Sequence, residues 1–503
     1  MRSVSIAIGI ILGVVFASSV RGAPPNVVLF LVDDLGWQDI AVPLHAEPTE
    51  TNRRYRTPNV EALAARGVVF TDAYAASPVC SPTRCGIMTG LHPARLHITD
   101  WIGHYGPADQ PAPKDGRREH SVGLPDWNRA GLGPDDVTLP RLLHEQGYRT
   151  IHVGKAHFGS RGTPGADPRT LGFDVNIAGN HLGGPGSYEA ADAFMADNPG
   201  HQVPGLERYH GTDINLTDAL TVEASRAIGD AVADGVPFLL HFAHYSVHAP
   251  IQAHRSLVQP YLDAGLTPPQ ARYASMVESV DHSFGSVIAT LERLGVLDDT
   301  IIVFTSDNGP LTAHSGPPTT AFPLKGGKGT AYEGGTRVPL IIAGPGVSTA
   351  RTSVVVSVID LLPTVLALTG HPDAAAHDAR VDGDDCSSLL RGETTTLARG
   401  DEFMVHYPHY WWTERGPYDT PGIEPFTAIR VDGWKLIWFY NDGGRWELYD
   451  LVTDLGETND RAGRTETRDV ETRLRTRLLD WMDAVAAQRM VDRATGAPVG
   501  PTR

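Results

Sequence analysis

Four stretches of this chain end in side chains able to do ligand, acid or base chemistry. Asp33 and Asp34 close the apolar run 26–32, Lys155 and His157 follow 150–154, His248 follows 237–245, and Asp307 and Asn308 follow 300–306. Asp33, Asp34, Asp307 and Asn308 offer only oxygen donors. Three carboxylates in one pocket repel by about 4 kcal/mol per pair at ~4 Å and an effective dielectric of about 20, unless a cation sits among them. An all-oxygen set suits Ca²⁺, with Mg²⁺ the second choice, rather than zinc, which draws on His or Cys. Arg84, Lys155, Lys328, His157 and His248 lie in neighbouring motifs. Carboxylates that hold a metal, ringed by Lys, Arg and His, describe a site for an anionic, oxygen-rich substrate. Any one strand-end Asp is ordinarily a turn former or helix cap. Four strand ends so equipped point to a single site.

A fifth stretch, residues 77–90, contains Cys80-Ser-Pro-Thr-Arg84. Pro82 fits the first turn of a helix that runs to Gly90, which puts Cys80 at or just before its N-terminus. Free N–H groups and the helix dipole favour an anion there and stabilise a thiolate. From the residues alone Cys80 has three readings: a buried structural cysteine, a thiolate nucleophile, or a modified residue.

These groups need a frame. The apolar runs 26–32, 150–155, 237–245, 300–307 and 338–343 suit strands buried on both faces. Helical patterns at 57–66, 138–147 and 269–294 lie among them. Thr138 is a plausible N-cap, Gly147 a C-terminal stop, and the third pattern keeps apolar residues near the 3.6 period. The alternation predicts an α/β fold with a large, mostly parallel sheet sandwiched by helices. After about residue 391 the texture changes. Residues 403–407, 428–438 and 446–451 read as strands, the second a hairpin turning at Asp432-Gly433, and 470–487 as a closing helix. The expected layout is a signal peptide at 1–23, a catalytic domain at 24–391 and a smaller C-terminal antiparallel-sheet subdomain at 392–503. Two loops rich in Gly, Pro and charge, 107–134 and 163–209, are long enough to be expected to shape a binding site.

Composition narrows the function classes. With 41% hydrophobic and 20% charged residues among 503, the chain is an ordinary globular protein rather than a disordered or fibrous one. A balance of 42 basic against 59 acidic residues, net −17, argues against general nucleic-acid binding. Three cysteines cannot make a disulfide scaffold. Arg2, a short apolar core at 4–16 and small residues through Ala23 have the pattern of a secretory signal, too short for a membrane span. The mature protein is expected to be exported, periplasmic or secreted, with no membrane attachment after cleavage.

Cys80-Ser-Pro-Thr-Arg84 with Thr89-Gly90 resembles the signature of the formylglycine-dependent (type I) sulfatases of the alkaline phosphatase superfamily. Further pieces follow in order: Asp33-Asp34, Gly154-Lys155-Ala156-His157, His248-Ala249-Pro250, Asp307-Asn308-Gly309, Lys325-Gly-Gly-Lys328 and Glu333-Gly-Gly-Thr-Arg337. The resemblance spans about residues 26–345. It implies an alkaline-phosphatase-like fold and a separate maturation enzyme that oxidises Cys80 to formylglycine, whose hydrated gem-diol attacks sulfur and expels the alcohol. It also implies Asp33, Asp34, Asp307, Asn308 and the modified residue 80 as calcium ligands. Arg84 and Lys155 would hold the diol, His157 would take its second proton, His248 would protonate the leaving oxygen and Lys328 would bind sulfate. Glu333 and Arg337 read as supporting residues.

The resemblance to exported carbohydrate sulfatases and arylsulfatases implies removal of sulfate from a sugar, by exolytic action. Residues 179–184 and the aromatic stretch 406–412 could line a polar rim, or Tyr410, Trp411 and Trp412 could pack the small subdomain onto the large one. Two other readings stand: a phosphonate or phosphate monoester hydrolase using the same residue 80, and a non-catalytic protein that binds sulfated glycan. Cys85 and Cys386 could pair or remain isolated thiols.

Overall fold

The side chains of β1 (Asn26–Val32) divide between two hydrophobic clusters, Val28, Phe30 and Val32 in one and Val27, Leu29 and Leu31 in the other. A strand covered on both faces has no reason to alternate with polar residues, which is why its sequence is a continuous apolar run. In the computed structural model, which describes residues 23–103, 105–106, 122–123, 127–312, 317–378, 380–410 and 423–502, β1 lies inside an eight-stranded sheet. The expected signal peptide, apart from Ala23, lies outside the described residues, as do Trp411 and Trp412.

The other strands of that sheet are β2 (Val68–Phe70), β3 (Arg149–Gly154), β4 (Val175–Ile177), β5 (Phe238–Ala243), β6 (Thr300–Ser306), β7 (Leu340–Ala343) and β8 (Ala350–Thr352). Their spatial order is β8-β2-β7-β6-β1-β5-β3-β4. β6, β1, β5, β3 and β4 are mutually parallel, with Val28 level with Leu240 and Ile302. β7 runs antiparallel to both β6 and β2. The strand expected at 338–343 is therefore present but reversed. β6 ends at the carboxyl edge and β7 starts there, after the short helix Glu333–Thr336, so the two neighbours run antiparallel.

Helices cover both faces. α1 (Pro58–Ala64), α4 (Leu216–Ala233) and α5 (Pro268–Arg293) pack on one, while α2 (Cys80–Thr89), α3 (Leu139–Glu145) and α6 (Leu361–Leu368) pack on the other. α5 starts from a reciprocal Thr267–Gln270 capping box with Pro268 in its first turn. α3 begins after Thr138 as expected, but the hydroxyl of Thr138 donates to the Leu171 carbonyl at 2.5 Å instead of capping the helix. The 163–209 stretch is less irregular than its composition suggests, since it contributes edge strand β4 and several 3₁₀ turns.

The C-terminal sheet comprises β9 (Phe403–Tyr407), β10 (Phe426–Val431), β11 (Trp434–Phe439) and β12 (Arg445–Asp450), all antiparallel in sequence order. Asp432 and Gly433 both have positive φ, 52° and 74°, the conformation a two-residue hairpin turn requires. Phe426 and Ala428 face Tyr74 and Val79 of the large sheet's side, whereas Ile429 and Val431 face Leu474, Leu478 and Met482 of α7 (Arg468–Ala484). Val79 immediately precedes Cys80, so this packing also fixes where α2 begins. No helix among the described residues is long and apolar enough to cross a membrane.

Candidate active site

β6, β1, β5 and β3 are neighbours running the same way, so their carboxyl ends open on one edge of the sheet. Asp33 and Asp34 leave β1 there, Asp307 and Asn308 leave β6, Lys155 and His157 leave β3, and His248 follows β5. The chain turns sharply at Asp34, whose φ is 62°, and the Asp34 N–H donates to Asp307 Oδ1 at 3.1 Å. Oxygens of Asp33, Asp34 and Asp307 all come within 4.8 Å of one another, and all three residues are buried.

Cations face them. Lys155 Nζ donates to Asp33 Oδ2 at 2.6 Å, Lys328 Nζ to Asp34 Oδ1 at 2.5 Å, and Arg84 Nε to Asp307 Oδ2 at 2.8 Å. Burial raises the Asp33 carboxyl well above its ordinary range, and Asp307 and Asp34 add to this against the pull of Lys155. Burial acts the same way on Asp34 and Asp307, but Lys328 holds the first and Arg84 the second below the ordinary carboxylate value. Lys328, whose charge burial opposes, is held protonated above its usual value by Asp34.

Two buried oxygens of this cluster make no hydrogen bond among the described residues, although one of them, Asp33 Oδ1, lies 3.7 Å from Arg84 Nη2. The other is Asn308 Oδ1, while Asn308 Nδ2 donates to Asp34 Oδ1 at 2.7 Å. A buried acceptor left unmade costs about 1–3 kcal/mol. Three carboxylates and these two oxygens, with no thiolate or imidazole among them, fit a hard divalent cation.

Cys80 is the first residue of α2, which ends at Gly90 with φ 67° in the left-handed conformation. Its Sγ lies 3.4 Å from His157 Nδ1, and the Ser81 hydroxyl lies 3.1 Å from the same nitrogen. His157 Nε2 must donate to the Ile102 carbonyl at 2.7 Å, because a carbonyl only accepts. The ring is therefore the neutral tautomer with a bare Nδ1 facing Cys80 and Ser81. Burial, assisted by Lys155, pushes its pKa well down.

His248 mirrors this with the nitrogens exchanged. Nδ1 donates to the Ala249 carbonyl at 2.8 Å and Nε2 sits 3.9 Å from Asp34 Oδ2. Burial and Lys328 bring its pKa down to about 3, against Asp34. Cys80, His157, His248 and Lys328 line a cavity of about 260 Å³ together with Trp101, Gly183, Gly184 and His201.

Asp33, Asp34, Arg84, Lys155, His157, His248, Asp307, Asn308 and Lys328 are thus brought together around Cys80. Glu333 and Arg337 belong to a separate network, Glu333 accepting from the Tyr74 hydroxyl and pairing with Lys435, and Arg337 pairing with Asp72. The rim differs from the expected one. Gly183 and Gly184 do line the cavity, but the described part of the aromatic stretch packs inward. His406 bonds the Gln488 carbonyl, and Tyr410 sits in a cluster with Val122, Trp438, Tyr440 and Met490. The aromatic wall is Trp101, which sequence reasoning missed along with Ser81 and His201. A lone tryptophan after a helix carries no periodic or motif signal. Cys85 and Cys386 are separate buried thiols, and no disulfide is formed.

Residues 25–371 match the model of the sulfatase family. The chain belongs to that family. Residues 327–484 match the model described as N-sulphoglucosamine sulphohydrolase, C-terminal. The chain is 31% identical to human N-acetylgalactosamine-6-sulfatase over 437 residues, covering 82% of this chain and 76% of the relative. It is also 31% identical to human arylsulfatase A over 482 residues, covering 88% and 84%. A solved structure described as Ps i-CgsB in complex with k-i-k-neocarrahexaose superposes with a TM-score of 0.70 at 26% identity, covering 91% of this chain and 92% of the other. This sulfatase-family protein is an enzyme, a hydrolase of sulfate esters.

Proposed function

We propose that the protein removes sulfate from a sulfated carbohydrate by exolytic hydrolysis, with Cys80 converted to formylglycine as the nucleophile and a calcium ion held by Asp33, Asp34, Asp307, Asn308 and residue 80. The observation that carries this reading is the meeting, at one cavity, of Cys80, a bare imidazole nitrogen 3.4 Å away and a buried carboxylate cluster with oxygens that make no hydrogen bond among the described residues. Bound calcium supplies Lewis-acid polarisation of the nucleophile and of the sulfate oxygens. Formylglycine supplies a hydrated aldehyde with two hydroxyls, one to attack and one to lose a proton.

The remaining chemistry belongs to the chain itself. Arg84, locked by Asp307 and by the Lys155 carbonyl at 2.8 Å, has an Nη2 without a hydrogen-bond partner among the described residues. It and Lys155 neutralise negative charge at residue 80, aided by the N-terminus of α2. His157 takes a proton on Nδ1, the nitrogen that faces Cys80 and Ser81, and Ile102 holds the ring in that tautomer. His248 has Nδ1 committed to a carbonyl, so any second proton sits on Nε2, facing Asp34, and from there it is handed to the leaving oxygen. Lys328, which lines the cavity, binds the sulfate group, whose negative charge also favours the protonated His248.

A cavity near 260 Å³ is below the usual 300–1,000 Å³ of ligand pockets, which supports end-on entry of one sugar unit. The printed names of the relatives and the carrageenan oligosaccharide in the superposed structure support a carbohydrate substrate. Cys80 is 4% exposed and Arg84 fully buried, so the maturation enzyme is expected to read the motif before the chain folds. The apolar run within residues 1–23 supports export, and the separate antiparallel sheet β9–β12 supports a catalytic domain at 24–391 followed by a C-terminal subdomain at 392–503.

The test is release of inorganic sulfate from defined sulfated oligosaccharides by protein whose residue 80 is verified as formylglycine by mass spectrometry. Sulfate release that a chelator abolishes and Ca²⁺ restores is the expected result. Verified protein that hydrolyses matched phosphonate esters but no sulfate ester sinks the reading.

A further inference from the structure

The cavity beside Cys80 has a polar region that the chemistry above does not use. His201 and Trp101 line it, and the Gly183 backbone comes so close that a Cβ there would lie 2.8 Å from His157 Cε1. His181 stands two residues before Gly183 and is therefore within about 7 Å of it along the backbone. Arg161 Nε donates to His181 Nε2 at 3.3 Å. That bond puts the His181 proton on Nδ1, an N–H with no other partner among the described residues. Both Nη groups of the exposed Arg161 are likewise without a carboxylate or carbonyl among the described residues. Burial, then Arg161, His157 and His201, bring His181 down to about 4, which makes it a neutral donor at ordinary pH.

An arginine fork and a fixed imidazole N–H beside the cavity, in a chain of net charge −17, form a local donor-rich patch. We propose that Arg161 and His181 make a second anion subsite beside the catalytic cavity, on the side that His201 and Trp101 line. The preferred substrate then carries a second negative group, a sulfate or a carboxylate, about one sugar ring from the scissile sulfate. Trp101, 38% exposed, offers the ring between them an apolar face. This deepens the carbohydrate-sulfatase reading and rests on it.

The experiment compares formylglycine-bearing wild type with Arg161→Gln, Arg161→Lys and His181→Ala on three oligosaccharides sharing one scissile sulfate. One has no other charge, one a second sulfate, and one a uronate carboxylate; 4-nitrophenyl sulfate serves as a small reference ester. Wild type is expected to favour a doubly charged arm, the better of the two naming the second group. Arg161→Gln should raise KM for that arm roughly tenfold more than for the singly charged one, as loss of a charge-assisted contact predicts. Arg161→Lys should recover part of the preference, and salt should erode it. Equal KM changes on singly and doubly charged arms overturn the subsite while leaving the sulfatase reading intact. Sulfate release from no arm and no reference ester overturns both.

Discussion

Two buried charge clusters in this protein have the same formal composition. The active-site cluster sets Asp33, Asp34 and Asp307 against Arg84, Lys155 and Lys328; the second sets Asp72, Glu333 and Glu457 against Arg337, Arg430 and Lys435. In the second, every carboxylate oxygen has a donor or cation within 3.0 Å. Lys435 Nζ lies 3.0 Å from both Glu333 and Glu457, Tyr74 donates to Glu333 at 2.6 Å, the Glu333 N–H donates to Glu457 at 2.7 Å, and Arg337 and Arg430 divide Asp72. Arg337 also stacks on Trp37, 4.5 Å from the ring centre. That network ties the C-terminal sheet to the large one. Glu457 Oε1, Arg430 Nε and Arg430 Nη1 are buried in it without a hydrogen bond among the described residues, but none of its members lines the cavity beside Cys80. The active-site cluster leaves Asp33 Oδ1 and Asn308 Oδ1 without a hydrogen bond among the described residues, the first 3.7 Å from Arg84 Nη2, and reaches a cavity through Lys328. Charge balance therefore does not mark the functional cluster. Unsatisfied oxygens beside an opening do.

If that distinction holds, removing a group from each cluster's neighbourhood has opposite consequences. Cys80→Ala is expected to lower kcat for sulfate release by at least about 10⁴-fold, the order seen when a nucleophile is removed. Its unfolding midpoint should stay within about 2 °C of the parent's. Lys435→Met leaves two glutamates buried without their shared cation, a change that costs about 3–5 kcal/mol. Chemical denaturation should report that loss, whereas kcat per folded molecule should fall less than about threefold. A Lys435→Met enzyme that folds normally but is catalytically dead would erase the distinction drawn here.

The sequence revealed the site better than its surroundings. Asp33-Asp34, Lys155, His157, His248 and Asp307-Asn308 were legible because each follows a long apolar run, and parallel strands must deliver their ends to one edge. Cys80 was legible as a helix start through Pro82. The direction of β7 was not, because an apolar run carries no information about which way a doubly covered strand points. The rim was not either. For the stretch 406–412 rim lining and inward packing were equally open in the sequence, because the burial of His406 and Tyr410 is decided by partners such as Gln488 and Met490, about 80 residues later in the chain. Trp101 and the Arg161–His181 pair are joined to the site only by loop geometry, which no spacing rule encodes.

A smaller effect separates the two clusters by pH. Burial, with the like charge of Glu333, pushes Glu457 up to about 7 despite Lys435, while Lys435 and Arg337 hold Glu333 near 2 despite burial. A raised carboxyl binds its proton more tightly when folded. Its contribution is thus complete below the ordinary value of 4.5 and disappears as pH rises through about 7, a span of roughly 3 kcal/mol at about 1.4 kcal/mol per unit. Glu333 acts in the opposite sense but only below pH 4.5, outside that window. The buried neutral histidines, His157 and His248 among them, give parent and variant alike a stability that rises with pH, so the expected signature is in the difference. The parent's advantage over Glu457→Gln in unfolding free energy should shrink between pH 4.5 and 8. An unchanged slope in the variant assigns the pH dependence to other groups and makes the network electrostatically quieter than its geometry implies.

The smallest change tests the active-site side alone. Gly184 passes so close to His248 that a Cβ there would lie 2.9 Å from Nδ1 and 3.0 Å from Cε1, tighter than carbon and nitrogen tolerate. Gly184→Ala must therefore tilt the imidazole or push the loop outward. The Nδ1 bond to the Ala249 carbonyl, which directs Nε2 toward Asp34 and the cavity, is the contact most exposed to that shift. Misdirecting a proton donor while leaving the nucleophile in place should lower kcat about tenfold with little change in stability. The loss should be greatest for esters with poor leaving groups, which depend on protonation, and least for activated aryl sulfates. Equal losses across leaving groups would mean that the loop merely shapes the cavity and that His248 does not protonate the departing oxygen.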